Sequence, residues 1–500
     1  MANNPLDKAI NFISPAWALK REQARRVLAY YESAKSSQYH KLRREWGSGD
    51  TAVLRAGTLL REQARHLEQN HDLALGALNV LVTNVVGAHG ITVEPQPMNR
   101  DGTINIELAR AIKSLWHDWC HKPEVTGLMS WAQTQRMACR TWVRDGEFLA
   151  QLVSGDLSTL DHRTKVPFSL ELIEADLLPM IHNSWENPII TAGVERNAWG
   201  APIAYHLYKQ HPGDMYRLPI VTGQLKRVTA DRILHPKQVT RFNQARGVSV
   251  FASVMSRLDD IKDYEESERI AAKVAASMAG YIKKGSPDMY DPSADGSARA
   301  LKFQPGMVFD DLLPGEEIGT IDSKRPNPQL EPFRNGQLRA IAAGIGVNYS
   351  SLSRNYDGSY SSQRQELVEG WSQYQTIQGE FTDQFVRPVY KKFIEIAQLA
   401  GLILISPDLD PMQVSHAMYT GPQMPWIDPA KEANAWESLE RNGLASGPEI
   451  IRRRGKNPQD VFDQERVWRQ QWQDAGLVNG ADPANDAGQP QTNQTMQGAP

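Results

Sequence analysis

The most constraining feature of this sequence is a long helical pattern between Phe251 and Lys284. Apolar residues recur there at helical spacing along one narrow stripe: Val254, Leu258, Ile261, Tyr264, Ala271, Ala275, Met278 and Ile282. Proline and glycine are absent until Gly280, so the pattern predicts a single helix of about 25–30 residues. So narrow a stripe cannot bury such a helix on its own, and we expect neighbouring helices on both of its sides.

The charges of this predicted helix are segregated along its length. Acidic residues crowd its first half: Asp259, Asp260, Asp263, Glu265, Glu266 and Glu268. Basic residues follow them: Arg269, Lys273, Lys283 and Lys284. Acid near the start of a helix and base near its end both stabilise it through the helix dipole.

Beyond Lys284 the chain alternates between irregular and helical patterns. A stretch rich in glycine, proline, aspartate and serine covers Gly285–Asp322 and predicts a small β or irregular insertion, with strand-like pieces at 300–303 and 307–309. The later patterns are a helix at Phe333–Ile345, a polar loop at Gly346–Ser362, a helix at Gln363–Ala400 that Pro388 is expected to kink, and short helices at Pro429–Asn442, Ser446–Arg454 and Pro458–Asp474.

The residues before Phe251 predict an α+β body with a mostly antiparallel sheet. Helical spacing covers Asp72–Val86, Glu107–Trp119 and Ser130–Val143, whereas β-rich runs cover Phe148–Val153, Phe168–Ile173, Gly193–Arg196 and Ile203–Tyr208. The uncharged stretch Leu73–Val93 is interrupted by glycines. It therefore predicts a buried helix ending at Gly87 rather than a membrane span.

The composition limits the possible classes of protein. The 500 residues carry 55 Lys and Arg against 58 Asp and Glu, which argues against a protein that grips DNA by neutralising its phosphates. The length suggests about two to four domains. Cys120 and Cys139 are the only cysteines, which excludes a disulfide framework and favours a reducing compartment. Met1–Pro15 does not have the pattern of a secretory signal.

The two ends differ in composition from the rest of the chain. The first 65 residues carry twelve basic and six acidic side chains, which is typical of a basic arm that touches an acidic partner or of a solvated helix face. Residues 477–500 are rich in glutamine, asparagine, glycine, proline and alanine. Because large apolar residues are almost absent there, we expect a disordered tail.

No pattern in the sequence predicts catalysis, a metal or a bound cofactor. Glycine-rich phosphate and dinucleotide loops and the nucleophile elbow of hydrolases are absent. The weak metal candidates are His117, Cys120 and His121 and the acidic pairs Asp259/Asp260, Asp310/Asp311 and Asp408/Asp410. No further ligand follows the first group at metal spacing, and paired acids are mostly solvated. His235 and His416 are single and are expected to be structural.

Four tryptophans at helical spacing are expected to be core residues: Trp116, Trp119, Trp131 and Trp142.

Four stretches of the sequence form a recognisable series. The clearest is Arg339–Tyr356, which reads RAIAAGIGVNYSSLSRNY and is followed by DGSYSS up to Ser362. The others are Asn79–Gly90 with Pro95, Thr141–Leu152 with RDGE at 144–147, and Trp426–Pro429 followed by KEA at 431–433 and GLAS at 443–446. Together these four stretches resemble motifs of the phage portal proteins of the lambda family, and they occur in the same order as in that family over roughly residues 70–470.

The resemblance implies an α+β portal-type fold that assembles as a ring of about twelve subunits at one vertex of a phage capsid. The parts that it implies are a basic N-terminal arm (1–65), an α+β wing (66–250), a first stem helix (251–284), a clip (285–325), a second stem helix (326–345), a tunnel-loop region (346–362), a return to the wing (363–425), a helical crown (426–476) and a disordered tail (477–500).

The same resemblance implies the function of a non-enzymatic portal, the head-tail connector of a virion. Double-stranded DNA would pass through the ring without sequence specificity, driven inward by a separate large terminase and later ejected. The other implied partners are the major capsid and scaffold proteins and the head-completion or tail adaptor proteins, with no membrane. The protein would occupy the host cytoplasm during assembly and the portal vertex of the virion afterwards.

The residues that the resemblance assigns to the DNA channel fall into two groups. The tunnel loop supplies Asn348, Tyr349, Arg354, Asn355, Tyr356, Gly358 and Tyr360. The stem wall supplies Asp259, Asp263, Glu266 and Lys273. Arg354 is the only base in 348–362, so it offers one phosphate contact per subunit or caps a neighbouring helix. An acidic stem grips DNA weakly, which leaves retention of the genome to steric constriction by the loop.

Three alternatives remain open at this point. The tunnel-loop region could be a connector packed within the wing. The protein could be a magnesium-dependent phage nuclease that uses Asp259 and Asp260, or a capsid or scaffold-interaction protein without a channel.

Overall fold

The computed structural model describes residues 14–17, 20, 47–155, 160–186, 189–214, 225–276, 280–284, 316–320, 329–404, 406–425 and 428–477. The chain divides into two units, Met1–Ala52 and Val53–Pro500, and the first contributes a helical turn at 15–17. Most of the predicted basic arm, most of the predicted clip with the strand-like pieces at 300–303 and 307–309, and the predicted disordered tail lie outside the described residues.

Four helices open the described chain: α1 Gly49–Asn70, α2 Asp72–Val85, α3 Ile106–His121 and α4 Trp131–Asp145. The predicted buried helix is confirmed as α2, and Gly87 follows it in the left-handed region at φ +69°. In the described part of the chain, no helix combines the length and apolar composition that a membrane span requires.

The predicted tryptophan core is confirmed. Trp116 and Trp119 stack with their ring centroids 4.8 Å apart, and Trp119 also stacks on Phe168 at 5.5 Å. Trp119 and Trp142 are fully buried. Each such ring contributes about 3 kcal/mol through burial. Helix α4 presents two of these tryptophans because its ends are fixed, by a capping box at Ser130 and a left-handed Gly146.

The strands are β1 Thr92–Pro95, β2 Leu149–Ser154, β3 Phe168–Ile173, β4 Ile189–Thr191, β5 Val194–Arg196, β6 Pro202–Tyr208, β7 Leu225–Thr229, β8 Ile233–Leu234, β9 Gly280–Lys284, β10 Glu316–Thr320 and β11 Ala417–Thr420. They form sheets with the strand orders β3-β2-β8 and β4-β5-β6-β7 and the pairs β1-β11 and β9-β10, and every pairing is antiparallel. The α+β class is confirmed.

The long helical pattern forms helix α5, Met255–Ala276, which is shorter than predicted. The prediction was wrong at its C-terminal end, because residues 280–284 form strand β9. Gly280 lies opposite Thr320 and Lys284 opposite Glu316 in the β9–β10 pair. The next helix, α6, covers Leu330–Ile345.

The prediction of a polar loop at Gly346–Ser362 was wrong in part. This segment contains a short helix, α7 Tyr349–Ser353, and helix α8 begins within it at Tyr360 and ends at Phe381. A π turn, Thr382–Val386, joins α8 to α9, Arg387–Leu399. The N–H of Arg387 reaches back five residues to the carbonyl of Thr382. The irregularity expected from Pro388, which has no N–H to donate, therefore takes the form of a π turn.

The three predicted short C-terminal helices are confirmed as α10 Pro429–Arg441, α11 Gly447–Arg453 and α12 Pro458–Asp474. None of the residues in these helices is buried. Three ion pairs connect α11 and α12 to the body: Arg452 with Glu94, Lys113 with Asp460, and Arg110 with Asp463.

Candidate channel surface

Helices α5 and α6 pack against each other as an antiparallel pair. Residues near the start of α5 contact the end of α6, and later residues contact its beginning. Arg257 contacts Gln337, Tyr264 contacts Phe333 and Glu265 contacts Arg334, while Val254, which immediately precedes α5, contacts Gly344. The side chain of Val254 packs directly on the backbone of Gly344 and leaves no room there for a Cβ. The β9–β10 pair continues the same antiparallel order beyond the helices.

Among their described side chains, the two helices are buried only where they join the body. The last buried one on α5 is Ile261, and the first on α6 is Leu338. The half of each helix farther from the body has exposed or half-buried side chains wherever these are described, and Ile270 is 54% exposed. A single subunit therefore leaves one end of this helix pair uncovered.

Of the predicted stem-wall residues, Asp263, Glu266 and Lys273 lie on this uncovered half of α5, whereas Asp259 lies on the half that joins the body. All four side chains are exposed. Asp259 and Asp260 are adjacent on a helix, so their carboxylates point in different directions and do not form a paired site for a cation.

The predicted tunnel loop divides into an interior part and an exposed part. In the interior part Asn348 is 8% exposed, and its Oδ1 packs so closely on Gly370 of α8 that a Cβ on this glycine would clash with it. Tyr349 is half-buried, and the guanidinium of Arg339 lies over its ring at 5.1 Å from the centroid. These two residues fix the loop to the body and do not project from it.

The exposed part begins at Arg354, which adopts the left-handed conformation at φ 56°. The side-chain Oδ1 of Asn355 accepts a hydrogen bond from the N–H of Asp357 at 2.8 Å, which closes a turn before Gly358. Within the described residues Arg354 has no hydrogen-bonded or ion-paired partner, so its charge is presented to solvent.

Two tyrosines flank this turn. Tyr356 is 55% and Tyr360 56% exposed, although both are large enough to be core residues. Ser359 begins helix α8 by accepting the N–H of Ser362 at 3.3 Å, and Gln363 binds the carbonyl of Tyr356. The loop is therefore an ordered turn that presents two aromatic rings and one guanidinium.

Sequence reasoning missed a buried ion-pair network in the body. Glu147 is fully buried and contacts Arg246 at 2.6 Å, His235 at 3.0 Å and Arg61 at 3.4 Å. The N–H of Gly247 donates to its second carboxylate oxygen at 2.7 Å. Glu147 belongs to the RDGE stretch that helped to carry the family resemblance. Its partners in the network are 86 to 100 positions away in the chain, so no local signal in the sequence identifies them.

The neighbouring carboxylate of Asp145 extends this network to helix α1. Arg65 donates to Asp145 at 2.7 Å and Arg144 at 2.6 Å, while Glu68 accepts from Arg144 at 2.6 Å. Arg61 and Arg65, which the charge count placed in a basic arm, are thus bound to the carboxylates of the body.

The network sets the protonation states of its members. Burial alone would raise the pKa of Glu147, but Arg246 and His235 outweigh burial and hold that pKa far below its usual range. Burial lowers the pKa of His235, against the opposing effect of Glu147. His235 is a structural hydrogen-bonding partner, as expected of it from the sequence.

The metal candidates that lie among the described residues do not form a chelating group. The rings of His117 and His121 lie 4.9 Å apart, and burial raises the pKa of the Cys120 thiol, which disfavours a thiolate ligand. Asp408 and Asp410 accept turn hydrogen bonds from Ser406 and Met412. Asp310 and Asp311 lie outside the described residues.

Among the described residues, Glu174, Asp176 and His211 are the one group of three potential ligands with closely spaced atoms. The guanidinium of Arg65 already lies 2.6 Å from Asp176, so this group is part of the ion-pair network.

Comparison with known proteins decides the family. The family described as "Phage portal protein, lambda family" matches residues 35–378. The chain belongs to this family. Its role is that of a portal, the head-tail connector of a phage particle, and the proteins of this family are structural.

Two relatives with known names, both phage proteins, agree with this assignment. A protein named as a probable portal protein of Halomonas phage phiHAP-1 is 26% identical over 89% of this chain and 87% of its own length. Portal protein B of Escherichia phage lambda is 22% identical over 84% of each chain. Among solved structures, the neck of a native gene transfer agent particle with C12 symmetry is similar at 13% identity and a TM-score of 0.41, over 82% of this chain and 94% of that chain.

Proposed function

We propose that this portal protein forms a closed ring of about twelve copies, through which double-stranded DNA is packaged and later ejected. The observation that carries the proposal is the antiparallel α5–α6 pair, whose half farther from the body has no buried side chain among those that the structure describes. Copies placed side by side around an axis would cover these flanks and leave one charged face of each pair toward the hole.

The charges on this face suit a channel through which DNA slides. Asp259, Asp263 and Glu266 repel phosphates, whereas each phosphate neutralised by a cation would add salt-sensitive affinity and slow the movement. Lys273 supplies one opposite charge farther along the helix. Contact between the stem and the duplex is therefore weak and independent of sequence.

The exposed turn at 354–360 supplies the constriction in this proposal. Arg354 offers one phosphate contact per subunit, and Tyr356 and Tyr360 supply bulk on both sides of Gly358. Asn348, Tyr349 and Asn355 hold the turn in place from within the subunit.

The partners of such a ring follow from its position at the capsid vertex. A separate large terminase would supply the ATP-driven packaging, major capsid and scaffold proteins would surround the ring, and head-completion or tail adaptor proteins would bind beneath it. Assembly would take place in the host cytoplasm.

Electron microscopy of the purified full chain tests the ring directly. We expect annular particles with a central hole, whereas a capsid or scaffold-interaction protein would show no such hole. A stable monomer at every concentration would contradict the proposal.

Packaging by the assembled particle tests the loop. The variant Tyr356→Gly/Tyr360→Ala should form normal rings but retain less packaged DNA, measured as nuclease-resistant DNA per particle. The matched control Met412→Ala changes a side chain that is 88% exposed elsewhere in the body and should retain DNA normally. Equal retention by both variants would show that the turn does not constrict the channel.

A further inference from the structure

The three C-terminal helices carry large apolar side chains that a single subunit leaves uncovered. None of the residues of α10, α11 or α12 is buried, although α10 and α12 contain leucine, tryptophan and phenylalanine. Most of the stability of a helix in a protein comes from the packing of its apolar face, because short helices are marginal in water by themselves. We therefore expect another surface to cover these helices.

Helix α10 ends in an exposed pair of leucines. The N–H of Leu444 donates to the carbonyl of Leu439 at 2.9 Å, and Gly443 adopts the left-handed conformation at φ +69°. This motif brings the residue after the glycine close to a residue of the last helical turn, and the two are frequently apolar partners. Leu444 is nevertheless 74% exposed and Leu439 is 36% exposed. We call these two leucines the α10 end.

Helix α12 ends in the same motif with larger side chains. The N–H of Leu477 donates to the carbonyl of Trp472 at 3.0 Å, and Gly476 adopts the left-handed conformation at φ +66°. Trp468 lies one turn earlier on the same face, and its ring meets that of Trp472 edge to face with the centroids 5.7 Å apart. Leu477 is 59% and Trp468 50% exposed. We call Trp468, Trp472 and Leu477 the α12 end.

Both ends face open space in the described part of the chain. A Cβ on Gly443 or on Gly476 would find no atom within 4 Å apart from those of its chain neighbours. Helix α11 contacts both helices, since the guanidinium of Arg453 lies 4.7 Å from the ring centroid of Trp436 on α10 and α11 packs on α12. The two ends therefore belong to one group of three helices, and each keeps a large exposed area.

A closed ring needs two unlike surfaces on every subunit. Its interface is heterologous, so one surface of each copy meets a different surface of the next copy. The α10 end and the α12 end meet this requirement, since one is aliphatic, the other is largely aromatic, and the same group of helices carries both. So few side chains bury far less than the ~1,600 Å² of a typical stable interface. The contact therefore forms between copies that the ring already holds side by side.

We propose that the α12 end of one copy packs on the α10 end of the next copy. The tryptophan rings would cover the two leucines, and the C-terminal helices would form an apolar contact around the ring that is separate from the α5–α6 pair. This inference rests on the ring of the proposed function and identifies a second contact surface within it.

Paired cysteines test which surfaces meet. Full-chain rings of Leu444→Cys/Trp468→Cys, oxidised with diamide, should give a ladder of dimers, trimers and larger species on a non-reducing denaturing gel. Each single variant should stay monomeric, and a mixture of the two should give dimers and nothing larger, because the two positions meet only between copies. The parent, in which Cys139 is buried and Cys120 half-buried, is the control.

The outcomes separate this contact from the ring itself. Rings of the double-cysteine variant that give no ladder would overturn the contact and leave the ring intact. Absence of rings in the parent would overturn the proposed function and this inference together.

Ring dissociation tests the strength of the contact. Trp468→Ser/Trp472→Ser should raise the protein concentration at which rings dissociate at least about tenfold, as measured by mass photometry. Leu439→Ser/Leu444→Ser should do the same, and combining the two changes should add little because both remove one contact. Phe462→Ser is the matched control, since this side chain is 60% exposed about 100° around α12 from the tryptophans, and it should dissociate as the parent does.

Far-UV circular dichroism of the unassembled variants should match that of the parent, because both ends are exposed within one subunit. Unchanged dissociation in both double variants would overturn the proposal. Rings of normal stability that no longer enter capsids would also overturn it, and would show that a capsid or scaffold protein covers these ends instead.

Discussion

The body of this portal protein and its projecting helices are stabilised in opposite ways. The body buries aromatic rings around Trp119 and carboxylates that are fully paired, such as Glu147. The α5–α6 pair and the C-terminal helices expose most of their described side chains, and α11 and α12 are tied to the body by ion pairs. The body is therefore folded by its own interior, whereas the projecting parts need neighbours, since most of their surface finds none within one subunit.

The largest expected effect is the loss of the carboxylate at the centre of the body. Glu147→Ala leaves Arg246 buried without its counter-charge and should lower the free energy of unfolding by about 3–5 kcal/mol. Urea unfolding followed by tryptophan fluorescence measures this change. Asp263→Ala on the exposed part of α5 is the control and should keep the parent midpoint. Equal midpoints for the two variants would show that the body and helix α5 do not differ in this way.

The pH dependence of a second buried carboxylate sharpens the comparison. A hydrogen bond from Arg227 lowers the pKa of Glu195 to about 2 from its ordinary value of 4.5, although burial opposes the shift. Because the folded-state pKa is the lower one, the stabilisation is complete above the unfolded value and is lost as the pH falls from 4.5 toward 2.

The variant Glu195→Gln isolates this contribution. It should be less stable than the parent by about 2 kcal/mol at neutral pH, and the difference should shrink as the pH is lowered through that window. Urea midpoints at a series of pH values measure the difference. A constant gap down to the lowest pH would contradict the assigned role of Glu195.

A smaller effect is expected where the C-terminal helices meet the body. The guanidinium of Arg452 binds both carboxylate oxygens of Glu94 at 3.0 Å, and Arg452→Glu should loosen this contact by about 1 kcal/mol. Hydrogen exchange of residues 447–474 should become faster, and the difference from the parent should decrease in high salt. Adding Glu94→Arg restores the pair with reversed charges and should slow the exchange again. Unchanged exchange in Arg452→Glu would show that this pair does not hold the helices.

The smallest effect on the subunit is expected at the outer end of α5. Ile270→Ala should change the stability of the unassembled chain by less than about 0.5 kcal/mol, because this side chain is largely exposed. Leu258→Ala, on the buried end of the same helix, should cost about 2–5 kcal/mol. Matching losses in thermal unfolding would mean that the outer end of α5 is already covered within one subunit.

Local signals in the sequence predicted many helices and strands of the body but few of the contacts between residues far apart in the chain. The capped helix Trp131–Asp145 and the strand Phe168–Ile173 were predictable because caps, glycines and side-chain periodicity act within a few residues. Strand Gly280–Lys284 was not, since its partner Glu316–Thr320 lies far along the chain. The exposed turn after Arg354 was found through a family motif, whereas its buried anchor at Asn348 required the packing against Gly370.

The π turn between α8 and α9 changes how the two helices line up. It adds one residue to a continuous rod, so every side chain beyond Val386 is rotated by about 100° from the position that regular winding would give it. The extra residue allows Phe385 and Tyr390, five positions apart, to enter the same core. A deletion of one residue at 382–386 would therefore rotate every side chain of α9 about the helix axis, whereas a deletion in a surface loop would shorten only that loop.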